Sequence, residues 1–187
     1  MIAGIVIGAV ALILIVFVSS IYNRLVRERN SVDNAFATID VQLKQRCDLI
    51  PQLVTSVRGA MEYEKGTLEK LTELRERASA PGASSDERMA LDSQMSGLLH
   101  GLFARVEAYP QLKANESVVL LQRSLNETEA QIAAARRTYN AAVTIYNTST
   151  ESVPSSLIAG PFGFARRTLF EAAAAERAVP TIGSFVS

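Results

Sequence analysis

At 187 residues the chain is long enough for one domain, or for one domain with an appendage. Its 19 Lys and Arg residues balance 19 Asp and Glu residues, so the protein offers nucleic acid no global attraction and a nucleic-acid partner is not expected. The single cysteine, Cys47, and single histidine, His100, exclude a disulfide framework, a multi-cysteine zinc site and a His-cluster metal site.

Residues 1–23 contain no charged side chain. Within them, Ile2 to Ile21 is an apolar run rich in Ile, Val, Leu and Ala, and about 20 such residues at 1.5 Å rise cross a ~30 Å hydrocarbon core. No basic residue precedes the run, and Val18-Ser19-Ser20 is a poor cleavage sequence, so a retained anchor is favoured over a cleaved signal. Arg24, Arg27 and Arg29 follow immediately, which predicts an outward N-terminus and a cytoplasmic body. Gly4 and Gly8, with Ala11 near the same face, allow close approach of a second helix and are candidate self-association residues.

From Val32 the apolar residues recur at helical spacing as Phe36, Ile39, Leu43, Ile50, Leu53, Val57, Met61, Leu68 and Leu71, which predicts one buried stripe continuous with the spanning helix. Pro51 is expected to kink this helix without ending it. Residues 79–85 form the first clear loop, and Ser84 with Glu87 reads as a capping box for a second helix with the stripe Leu91, Met95, Leu98, Leu102 and Val106. That helix is expected to end at Tyr109-Pro110. Asn115 is placed to cap a third, with a coiled-coil-like repeat through Val118, Leu121, Leu125, Thr128, Ile132, Ala135, Tyr139, Ala142 and Tyr146.

Ser152 to Pro154 closes the third helix. The segment 160–187 then carries four of the seven phenylalanines, Phe162, Phe164, Phe170 and Phe185, and a short helical piece is expected over Ala172 to Ala178. The aromatic content predicts a segment that docks on protein, either its own bundle or a neighbouring subunit, and makes these rings further candidates for self-association. The predicted organisation is an anchor over 1–22, a helical bundle over 23–159 and a Phe-rich tail over 160–187, in an all-α, up-and-down antiparallel arrangement of three long helices and a short fourth piece.

Several blocks resemble the LemA family. Tyr22 to Val26 and Arg29 to Ala35 are similar to its juxtamembrane opening, and Asp48 to Val54 resembles its DLIPNLV block, with Gln52 in place of asparagine. Glu107 to Glu116 resembles EAYPxLKANE throughout. Thr128-Glu129, Arg136-Arg137, Tyr139-Asn140 and Tyr146-Asn147 fit its third helix, and Val153 to Ala159 resembles FPSNLIA, with Val153 for phenylalanine. Val118 also replaces a usual phenylalanine, and Cys47 stands where an aromatic is more common. The resemblance implies a single-pass bacterial inner-membrane protein with a cytoplasmic bundle, no catalytic residues and no cofactor. It also implies, by gene neighbourhood, a possible partner among TPM-domain proteins or membrane metallopeptidases.

No side-chain constellation reads as an active site. His100 lacks an orienting acid and a nucleophile in any recognisable pattern, and fits a bundle surface or boundary. Cys47 fits a packed core edge. Glu62, Glu64, Glu69 and Glu73 interleave with Lys65, Lys70, Arg75 and Arg77, as on a solvated face. Tyr139-Asn140 and Tyr146-Asn147 repeat at seven residues on one side of a helix. They read first as structural, satisfying polar groups where Pro110 and Pro154 interrupt backbone bonding, and second as a polar ladder for a partner helix. Tyr109, Pro110 and Asn115 likewise read as a turn and cap before they read as recognition. The expected function is therefore a membrane-anchored, non-enzymatic scaffold forming a homo-oligomer in contact with the lipid bilayer. An adaptor or regulator of a membrane protease or TPM-domain protein is the alternative.

Overall fold

The computed structural model describes residues 2–170, and all regular structure among them is helical. Helix α1, Ile2–Val57, carries the apolar run directly into the body. Residues 2–20 are exposed along their whole length, and burial begins in earnest at Leu25. One helix is thus apolar and unpartnered at one end and amphipathic at the other. That end is long and apolar enough to cross a membrane, which fits a membrane-anchored helical protein.

Helix α1 continues through Pro51, as expected. A helical proline has no N–H to give to the carbonyl four residues earlier, here that of Cys47. Arg75 supplies the missing donor, with its Nε 3.3 Å from the Cys47 carbonyl oxygen. Arg75 belongs to helix α2, Lys65–Ala78, so the proline opens a point on α1 to which the next helix bonds.

The first reversal departs from the single-stripe expectation. Helix α1 stops at Val57, and Arg58 to Glu64 turns the chain through a short 3-10 segment, Glu62–Glu64, so that α2 runs back along α1. Met61, Leu68 and Leu71 are buried as predicted, but Met61 lies in the turn and the two leucines on the returning arm. The periodicity ran across the turn because the spacings from Val57 to Met61, Leu68 and Leu71 remain in helical phase, and Gly59 is the sole breaker there. The body consequently holds four long helical arms, not three.

Helix α3, Ser85–Val106, starts at the predicted cap, where Ser84 Oγ accepts from the Glu87 amide at 3.1 Å. Tyr109-Pro110 opens a single-turn helix α4, Pro110–Lys113, with proline at its start. Asn115 then caps helix α5, Glu116–Glu151, by accepting from the amides of Ser117 and Val118. On α3, Leu99 and Phe103 complete the stripe in place of the half-buried Leu98; on α5, Val143 is fully buried while Ala142 sits at the edge. A one-turn helix α6, Ser156–Ala159, follows the cis Val153–Pro154 bond.

The core is in two sections. The section nearer the apolar end of α1 joins Leu25 to Leu43 with Ile132 to Tyr146, Ala159, Phe164 and Phe170. The far section joins Cys47 to Met61 with α2, α3, Leu112, Val118 and Leu125. Arg46 on α1, Asp92 on α3 and Glu129 on α5 lie at the junction, between Leu43 and Cys47, after Leu91, and between Leu125 and Ile132.

Candidate functional site

Two linked features concentrate polar groups inside this bundle. The first is the junction layer. Arg46 has no solvent exposure; its Nη1 donates to Asp92 Oδ1 at 2.5 Å and to Ser96 Oγ at 2.7 Å, and its Nη2 pairs with Glu129. Asp92, equally buried, gives its second oxygen to Arg136. Ser96 Oγ also donates to Glu129 Oε2 at 3.0 Å. Two guanidinium groups therefore meet two carboxylates, and the layer is neutral. Burial pushes Arg46 below its ordinary pKa and Asp92 opposes that shift; a guanidinium starts so far above neutrality that it stays charged. This layer ties α1, α3 and α5 at one level and fixes their register, because a slip of one turn on any helix would leave a buried charge without its partner.

The second feature is a groove between α1 and α5, filled by the chain's own residues 164–170. The predicted Tyr-Asn pairs form its floor. Asn147 holds the Arg167 backbone from both sides: Nδ2 donates to the carbonyl at 2.8 Å and Oδ1 accepts from the amide at 3.0 Å. Asn140 does the same for Phe170, at 3.0 and 2.7 Å. Tyr146 donates to the Ala165 carbonyl at 3.0 Å and Tyr139 to that of Thr168 at 3.1 Å. Burial pushes both phenols above their ordinary pKa, so at neutral pH they are protonated donors.

The spacing has a simple origin. Seven residues of helix rise about 10.5 Å. Three residues of nearly extended chain span roughly 10 Å. Asn140 and Asn147 are therefore at the separation needed to clasp Phe170 and Arg167 with the segment antiparallel to α5. Among the described residues, 166–170 make no backbone–backbone hydrogen bond, and these α5 side chains take the place of a neighbouring strand.

Side chains of the segment lock it laterally. Phe164 is buried, its ring centroid 5.6 Å from that of Tyr22, with the Arg29 guanidinium 5.4 Å away. Phe170 is buried under the Arg136 guanidinium at 4.1 Å, so the end of the described chain covers the junction layer. Arg167 pairs with Asp33 at 3.0 Å, and Thr168 donates to Asp86 at 3.4 Å. Gly163, at φ +72°, makes the left-handed turn that points the chain into the groove.

The sequence-predicted residues distribute as follows. The four Tyr-Asn residues converge on the groove, and their partner is the tail backbone, not carbonyls freed at Pro110 or Pro154. Of the tail rings, Phe164 and Phe170 pack on the same chain, Phe162 is largely exposed against Tyr22, and Phe185 lies outside the described residues, as does Ala172 to Ala178. Pro51, Tyr109, Pro110 and Asn115 lie in the far section, in a helix interior and a turn. His100 is exposed on α3, and Cys47 is buried, which pushes its thiol up and makes it a poor nucleophile at neutral pH. The junction layer was missed from sequence; Arg46, Asp92 and Arg136 each look like surface residues until the three helices are aligned.

The LemA family model matches residues 35–184. The chain belongs to the LemA family. It is also 26% identical over 155 residues to Protein LemA of Metamycoplasma hominis, an alignment that covers 83% of this chain and 71% of that protein. The LemA match takes in Arg46, Asp92, Glu129 and Arg136, the Tyr-Asn pairs and the clasped segment, and it begins after the apolar run and the Tyr22 to Asn34 opening. LemA is not known as a family of enzymes. Among the described residues no group of three or more His, Cys, Asp or Glu is arranged to hold a metal ion.

Proposed function

We propose that this LemA-family protein is a membrane-anchored, non-enzymatic scaffold. Its single spanning helix places a rigid bundle on the cytoplasmic face of a bacterial inner membrane and brings copies together as a homo-oligomer. The observation that carries this reading is α1 itself: one unbroken helix whose residues 2–20 are exposed, without a partner among the described residues, and whose remainder is the central strut of the bundle. Space around Gly4 and Gly8 is open, with nothing within 4 Å of either Cβ position, so a second helix has room to approach there. The clasped groove is consistent with a closed structural body, because its polar groups are engaged by the chain itself and hold no reactive pair.

A second reading, an adaptor or regulator for a membrane protease or TPM-domain protein, draws on a cleft of about 890 Å³ at the far end of the bundle. It lies between α1 and α2 and has apolar walls at Pro51, Val54 and Leu68 beside Glu62, Glu69 and Glu73. Mass measurement of the detergent-solubilised protein separates the two. A homogeneous homo-oligomer is expected for the scaffold, and a single chain that copurifies with a different protein would replace it with the adaptor. For orientation, a C-terminal reporter active only after export is expected to stay silent.

A further inference from the structure

The chain around α6 leaves unusually large apolar side chains in the open. Val153 is 79% exposed, Leu157 73% and Phe162 58%. They are not scattered. Helix α5 runs toward the apolar end of α1, with Ser149 Oγ accepting from Arg24 Nη2 at 3.2 Å, so the corner that follows Glu151, before residues 164–170 turn back along α5, is directed to the span side of that contact. Phe162 sits edge-on to Tyr22, 5.2 Å between centroids, and Tyr22 directly follows the apolar run that ends at Ile21. Because α1 is continuous, the depth of these groups is fixed by the span: they stand at the level where hydrocarbon gives way to headgroups, the level favoured by tyrosine.

On the anchored reading above, we infer that the α5–α6 corner is a second membrane contact, in which Val153, Leu157 and Phe162 enter the interfacial layer of the bilayer that α1 crosses. The occupant is a lipid surface. Continuity with the span brings that surface to the corner in every anchored copy. The exposed Arg24 and Arg166 at the corner are paired with Glu28 and Glu151, so its charges balance and the contact is carried by the apolar side chains. The contact differs from the tail clasp, whose buried rings, Phe164 and Phe170, face the bundle. Its consequence is mechanical. A helix alone leaves the body free to rotate and tilt about the span, and a second contact beside it fixes one face of the bundle toward the membrane.

The chain has no tryptophan, so single tryptophans report position without background. Full-length Leu157→Trp, Phe162→Trp, Val10→Trp and Val41→Trp proteins are reconstituted in vesicles of phosphatidylethanolamine and phosphatidylglycerol. Their emission is compared with and without lipids brominated near the headgroup end of the acyl chain. Val10 reports the span and Val41, 63% exposed on α1 and about 30 Å beyond Ile21, reports the solvent. The expected result is blue-shifted, strongly quenched emission at positions 157 and 162, quenching at 10, and none at 41. Quenching at 10 with none at 157 and 162 overturns the second contact and leaves the anchor standing. No quenching at 10 removes the anchor and the inference with it. A blue shift at 157 or 162 without quenching that grows with protein density would assign the patch to a second copy, which also overturns the proposal.

Discussion

Asn147 shows how much one side chain settles. Its amide supplies both a donor and an acceptor to Arg167, so truncation leaves a partly buried backbone N–H and C=O without partners at once. An unmade hydrogen bond of this kind costs about 1–3 kcal/mol. Asn147→Ala is expected to lower unfolding stability by about that amount, and Asn147→Asp by at least as much, because a buried carboxylate oxygen would face the Arg167 carbonyl. Urea melts of the solubilised protein check both; an alanine variant that melts with the wild type would mean that the clasp contributes nothing. The tyrosines make the same point through pH. Their folded-state pKa values are raised by burial, so the folded protein holds its phenolic protons more tightly than the unfolded chain. Stability from this source is complete below about pH 10 and falls as pH rises above it. A Tyr139→Phe, Tyr146→Phe double variant should be less stable than wild type at neutral pH and show a weaker decline as pH rises above about 10.

At the scale of helices, the junction layer is the strongest determinant of register. Removing one partner from a buried pair costs about 3–5 kcal/mol because the other charge remains. Arg46→Met is therefore expected to be severely destabilising, whereas Arg46→Met with Asp92→Leu leaves Arg136 and Glu129 balanced and should recover much of the loss. A double variant as unstable as the sum of the single variants would show that the layer is not coupled. Helices and caps were legible in the sequence wherever the signal was local: Ser84, Asn115, the stop before Pro110 and the α5 repeat all act within a turn or two of themselves. The reversal at Arg58 to Glu64 was not, because the hydrophobic phase happens to persist across it. The junction layer was not legible either, since pairing Arg46 with Asp92 depends on how α1 and α3, two parallel helices separated by the returning arm, are aligned across 46 residues of sequence. The Tyr-Asn repeat stood between these cases: the shared face and the seven-residue period were visible, but the partner was an irregular segment with no periodicity of its own.

For the whole molecule, the clasp and the layer reinforce each other. Phe170 is held by Asn140 and covers Arg136, which holds Asp92, which holds Arg46, so the described end of the chain is joined through Arg136 and Asp92 to the bundled part of α1. Among the described residues the bundle thus closes on itself, while residues 2–20 of α1 stay exposed. We propose that copies assemble through the Gly4 and Gly8 face of that segment. The most direct test is the mass of the full-length protein in detergent beside that of a Gly4→Leu, Gly8→Leu variant. The account predicts a homogeneous multiple of the 20.3 kDa chain for the wild type, and a single-chain mass with an unchanged bundle melting temperature for the variant. A wild type of single-chain mass, or a variant that keeps the wild-type assembly, would contradict it.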